Sequence, residues 1–136
     1  MDVKLDWKED LQFTGFNELG STVALEGIRK DGIRSAGFKP LELFLVGLAG
    51  CTAMDVISIL EKKRQIVTEF NVNVHADRAD EHPKIFTDIV VEYVFSGKDL
   101  DPEAIKRAIE LSENKYCPAM AMLRKNSPIR TKITIK

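Results

Sequence analysis

A chain of 136 residues has the length of one domain, which excludes separate cofactor and substrate modules. With 44% hydrophobic and 30% charged residues it has enough apolar material for a core and lies far from a disordered composition. Lys+Arg at 20 against Asp+Glu at 21 leaves a formal charge of -1, so nothing draws the chain to a phosphate backbone and no nucleic-acid partner is expected.

The first ten residues hold Asp2, Lys4, Asp6, Lys8, Glu9 and Asp10, too charged for the apolar core of a signal peptide; a cytoplasmic location is expected. Val3, Leu5 and Trp7 alternate with those charges, and a second extended stretch covers residues 22–28, predicting an opening hairpin or meander. Residues 27–39 form a basic, exposed loop, with Gly27, Gly32 and Gly37 at five-residue spacing among Arg29, Lys30, Arg34 and Lys39. The glycines lack the Gly-Lys-Ser/Thr ending that grips phosphate and magnesium, which excludes a phosphate loop.

Pro40 suits the first turn of a helix, and the pattern stays helical to about residue 64, where Lys62, Lys63 and Arg64 complement the C-terminal end of the helix dipole. At 1.5 Å per residue this helix is about 36 Å long, the longest element of the molecule. Residues 43–60 are apolar apart from Asp55 and a few small polar residues. A membrane span is disfavoured, because a carboxylate near the bilayer centre costs about 2.5–3.5 kcal/mol. Gly47, Gly50, Thr52 and Ser58 weaken the apolar run further. Such a helix is expected to be buried in protein, and in so small a chain a second copy supplies the cover.

Phe70, Val72, Val74 and Ala76 alternate with polar residues, as do Ile85, Thr87, Ile89, Val91, Tyr93 and Phe95 after a turn through Asp80, Glu81, His82 and Pro83, predicting a hairpin with one buried face. Asp101 is the expected N-cap of a second helix with Ile105, Ala108, Ile109 and Ser112 on one stripe, ending near Asn114. A short helix after Pro118 and a closing strand through Ile129, Thr131, Ile133 and Ile135 complete one α+β domain over residues 1–136.

Cys51 is surrounded by Gly47, Ala49, Gly50, Thr52 and Ala53, small residues that leave room for another backbone or a substrate beside the sulfur. The plainer reading is a small buried hydrophobe. Asp55, at i+4, shares its face and would raise the thiol pKa if unpaired, so a cation is expected from the loop between Arg29 and Lys39. Cys117 precedes Pro118 at the start of the short helix, where free amide protons favour a thiolate; local electrostatics alone make it the better nucleophile. The cytoplasm disfavours a resting disulfide between two cysteines so far apart in sequence. No metal site is expected, since the only histidines are His75 and His82 and neither cysteine belongs to a C-x-x-C pair.

The run PLELFLVGLAGCTAMDV over residues 40–56, together with KYCP over residues 115–118, resembles the two cysteine motifs of the OsmC/Ohr family, the osmotically inducible and organic hydroperoxide resistance proteins. Residues 82–97 resemble the hairpin of its YhfA-like branch, and the likeness runs through nearly the whole chain in order. The resemblance implies an OsmC-like fold with strands wrapped around a long central helix in an intertwined homodimer, its active sites at the subunit interface. It also implies a thiol peroxidase without a cofactor, acting on organic hydroperoxides or hydrogen peroxide. In that chemistry Cys51 is the nucleophile, Cys117 the resolving thiol, and Arg34 or alternatively Arg29 the active-site arginine. Glu42 orients that arginine, and Gly47, Gly50 and Asp55 border the substrate. A dithiol, a lipoyl group in the best-known branch, reduces the resulting disulfide.

The chain departs from the peroxidase pattern at one place. The family's carboxylate stands ten residues before the nucleophile, where this chain has Leu41; Glu42 is nine before, and nine residues turn an ideal helix by about 900°, to the face opposite Cys51. The alternative is a non-catalytic, dimeric small-molecule-binding module of the same fold.

Overall fold

The computed structural model describes all residues except Lys30, Arg34 and Ser35, and these fall into two compact units, Met1–Phe44 and Leu45–Lys136. The first is an antiparallel meander of β1 (Val3–Glu9), β2 (Gln12–Asn17) and β3 (Thr22–Glu26) in the order β1-β2-β3. β2 is the strand that sequence periodicity does not reveal, because Gly15 and the polar residues around Phe13 and Phe16 blur its alternation. The turn into β3 is held by Asn17, whose Oδ1 accepts the N–H groups of Leu19 and Ser21 at 3.0 and 2.9 Å. Beyond β3 the chain returns beside it: Phe38 N–H donates to Ala24 O at 2.9 Å and Glu26 N–H to Phe38 O at 3.0 Å. Gly37 makes this approach possible, since a Cβ there would lie 2.9 Å from the β3 backbone.

α1 (Pro40–Lys62) starts in the first unit and runs into the second, ending within two residues of the expected limit. Its end is a Schellman motif, with Gln65 N–H donating to Leu60 O at 3.0 Å and Arg64 N–H to Glu61 O at 2.9 Å. Arg64 takes the left-handed position at φ 57°, where glycine is usual.

In the second unit, β4 (Ile66–Arg78), β5 (Phe86–Lys98) and β6 (Ile129–Ile135) form one sheet, β4 antiparallel and β6 parallel to the central β5. Ile89, Val91, Tyr93 and Phe95 are buried on one face of β5, as their alternation predicts. The pattern fails at the strand's start: a register shift between Asp77 and Arg78 lets β5 pair Phe86, not Thr87, with Arg78, so Phe86 turns inward while Ile85 and Thr87 stay exposed. The β5–β6 crossover consists of α2 (Pro102–Leu111), a π-helical turn (Ser112–Tyr116) and α3 (Pro118–Arg124). Asp101 is the N-cap of α2, its Oδ1 accepting Glu103 N–H at 3.0 Å. α1 contributes Leu48, Thr52, Val56 and Leu60 to the core at four-residue spacing, and α2 contributes Ala104, Ile105, Ala108 and Ile109.

The rest of α1 is partly covered or exposed. By length and composition it could cross a membrane, with mean hydropathy 2.1 over its best window, yet only 22% of that window is buried within the chain. Met54 is 74% exposed and Val46 49%.

Candidate functional site

Cys51 lies half-buried on α1, and Cys117 lies buried at the N-cap of α3; both thiols are free. The two side chains are neighbours, close enough for Cys51 to act on the Cys117 thiol, which brings together residues that the sequence separates by most of a sheet. Gly47 and Gly50, on the same helix, border open space: a Cβ at either would meet nothing within 4 Å. The helix end works on Cys117 as its position predicts, for Met120 N–H donates to Sγ at 3.4 Å and that bond favours the thiolate. Burial is nevertheless the larger effect and, with the neighbouring Cys51, pushes the Cys117 thiol up to about 11. The helix end and burial thus act in opposite directions on Cys117, which is the buried member of the pair, while Cys51 is half-buried.

Beneath the two sulfurs is a buried polar network that sequence reasoning missed. Thr52 Oγ1 lies 2.7 Å from the Tyr93 hydroxyl and 2.9 Å from Ser112 Oγ, and Ser112 Oγ donates to Asp55 Oδ2 at 2.9 Å. Thr52, Tyr93 and Ser112 are all fully buried. Burial lifts the Tyr93 hydroxyl well above its ordinary range, so it stays protonated. Glu113 accepts from Thr131 Oγ1 at 2.5 Å and, more weakly, from Tyr93 at 3.3 Å. The available signal was positional: Thr52 and Ser112 are polar residues standing in apolar stripes. Among the described residues Asp55 accepts from the Ser112 hydroxyl; of the loop expected to supply it a cation, Lys30 and Arg34 lie outside those residues.

Arg34, the preferred arginine, lies outside the described residues. Arg29 is bound to two carboxylates, Asp31 at 2.8 Å and Glu26 at 3.2 Å. Asp31 is held down to about 2, chiefly by Arg29, and Glu26 is held below the usual carboxylate range, chiefly by the Ala36 N–H. Arg29, Glu26 and Asp31 line a groove of about 590 Å³ with Asp10, Leu11 and Gln12. Glu42 closes the first turn of α1, its Oε2 accepting Lys39 N–H at 2.9 Å while Glu42 N–H donates to Lys39 O at 3.0 Å. Among the described residues no group of three or more His, Cys, Asp and Glu could hold a metal ion.

Residues 30–132 match the family model described as OsmC-like protein. The chain belongs to the OsmC-like family. Protein YhfA of Escherichia coli K12 is a homologue of this OsmC-like chain, 37% identical over 92% of the chain and 90% of its own length. Among solved structures, a hypothetical protein from Aquifex aeolicus VF5 is 30% identical, with TM-score 0.87 over 99% of this chain and 95% of that one. The organic hydroperoxide resistance protein OhrB of Bacillus subtilis has the same fold, with TM-score 0.65 over 98% of both chains at 19% identity. The α+β architecture is therefore the OsmC-like fold.

Proposed function

We propose that this OsmC-like protein is a cytoplasmic, homodimeric thiol peroxidase reducing organic hydroperoxides or hydrogen peroxide. The observation that carries the reading is a half-buried free Cys51 beside a buried free Cys117. The Cys51 thiolate attacks the terminal peroxide oxygen; the O–O bond breaks, the alcohol leaves after taking a proton, and Cys51 becomes a sulfenic acid. The Cys117 sulfur then attacks the Cys51 sulfur, and the hydroxyl departs as water with the Cys117 proton. A small dithiol reduces the disulfide, returning both thiols. Keeping Cys117 protonated until this second step leaves the peroxide to Cys51 alone. Arg34 is the arginine assigned to the thiolate and leaving oxygen, since Arg29 is already engaged by two carboxylates. Glu42, which holds the start of α1, is the remaining candidate to orient it, and Gly47, Gly50 and Asp55 border the peroxide.

The homodimer covers the bare side of α1, where Gly47 and Gly50 permit close approach of a second backbone beside Met54. The second reading, a dimeric module that binds a small molecule without turnover, is favoured by Glu42 being occupied with the helix start. One equivalent of cumene hydroperoxide added to reduced protein separates the two. Loss of two hydrogens in the intact mass, abolished by Cys51→Ser, is the expected result. Unchanged thiols would overturn the peroxidase and leave the binding module.

A further inference from the structure

The network below the sulfurs joins the three elements on which the cysteine pair depends. Thr52 follows Cys51 on α1, Tyr93 lies at the centre of the sheet, and Ser112 opens the π-helical turn. Ser112 also reaches Cys117 directly, because its carbonyl accepts Cys117 N–H at 2.8 Å, the bond that closes the π turn. Two hydrogen bonds therefore connect the cysteines through protein: Thr52 Oγ1 to Ser112 Oγ, then Ser112 O to Cys117 N. Ser112 Oγ donates its one hydrogen to Asp55 Oδ2, so Thr52 must donate to Ser112, and the Tyr93 hydrogen is left for Thr52 at 2.7 Å. Each hydroxyl has one hydrogen, and this ordering spends the Tyr93 hydrogen on Thr52 at 2.7 Å in preference to the longer 3.3 Å approach to Glu113 Oε1. With all three buried, the arrangement has no solvent to substitute for a lost partner.

We infer that Thr52 and Ser112 are positioning residues that hold the Cys51 and Cys117 sulfurs in register for disulfide formation, with Asp55 fixing the direction of the hydroxyl chain. The inference takes its functional meaning from the proposed two-cysteine chemistry, but the geometry it asserts is measurable without peroxide. A dithiol held at contact has a high effective concentration; removing the hydroxyl chain lets α1 and the π turn separate, and the reduced state gains freedom that the disulfide must remove.

The test equilibrates the full chain with mixtures of reduced and oxidised dithiothreitol, in which the protein dithiol passes two electrons and two protons to the oxidised reagent, and reads the disulfide fraction by mass after acid trapping. Thr52→Val, equal in shape but without the hydroxyl, is expected to lower the effective concentration of the pair about tenfold, as is Ser112→Ala, while Thr52→Ser restores it to within about threefold of the parent. Ile105→Val, which loosens the core on α2 away from the network, measures the effect of lost stability alone and is expected to leave the equilibrium in place. Ser112→Ala, a smaller change, carries the experiment if Thr52→Val does not fold. An unchanged equilibrium in the hydroxyl-less variants, a Thr52→Ser no better than Thr52→Val, or an equal shift in Ile105→Val would overturn the inference. Thiols inert to cumene hydroperoxide together with the expected shifts would sink the peroxidase reading and leave the clamp standing.

Discussion

At Cys117 two local forces oppose each other, and their relative size decides the chemistry of the pair. The N-terminal amides of α3 draw the sulfur toward a thiolate, whereas burial and the neighbouring Cys51 draw it toward a thiol, and the second group prevails. Because the folded-state value of about 11 lies above the ordinary 9.0, the stability this thiol contributes is complete below about pH 9 and is lost as pH rises through about 11. Reduced protein should therefore lose about 1–2 kcal/mol more unfolding free energy than Cys117→Ala across that window, as read by denaturant titration. Equal slopes for the two proteins would contradict the burial argument. The sequence could show the proline and the helix start beside Cys117, but not the packing that outweighs them, since that burial is created by residues distant in the chain.

Among the elements, α1 shows both what periodicity reveals and what it conceals. Its start at Pro40 and its end near the basic cluster were legible, but Arg64 as the left-handed residue of a Schellman motif was not, because arginine is no sign of that conformation. Arg64→Gly should stabilise the protein by about 0.5–1 kcal/mol, since glycine accepts the positive φ without steric cost; thermal or denaturant unfolding checks this, and a loss of stability would count against the motif. β5 was legible at Ile89 to Phe95 and misread at its start, where a bulge reverses which side chains face inward. The π-helical turn carried no signal either: Ser112 looked like one more position on the α2 stripe, and only the Cys117 N–H to Ser112 carbonyl bond distinguishes the wider winding. The candidate site was thus visible as two cysteines with small neighbours, while the hydroxyls of Thr52 and Tyr93 were hidden inside patterns that otherwise spell core.

For the whole molecule, the decisive quantity is the apolar surface that one chain leaves uncovered. Met54 at 74% exposure, on a helix whose best window has mean hydropathy 2.1, is out of place on a lone chain in water. In the proposed homodimer it is covered, and Met54→Asp should convert the dimer to monomer or weaken it by at least about tenfold in Kd, because an unpaired carboxylate would be buried there. Sedimentation equilibrium measures the change; a parent protein that is monomeric at micromolar concentration would remove the basis for the assembly. The crossover that carries Cys117 is anchored at both ends in the sheet, by β5 before it and β6 after it. A covalent link from Cys51 to that crossover would enclose β4, β5 and α2 in a single ring of chain and restrict the unfolded ensemble by about 4 kcal/mol. A melting curve would then serve as a gauge of how much of a population is oxidised, with no label on either cysteine.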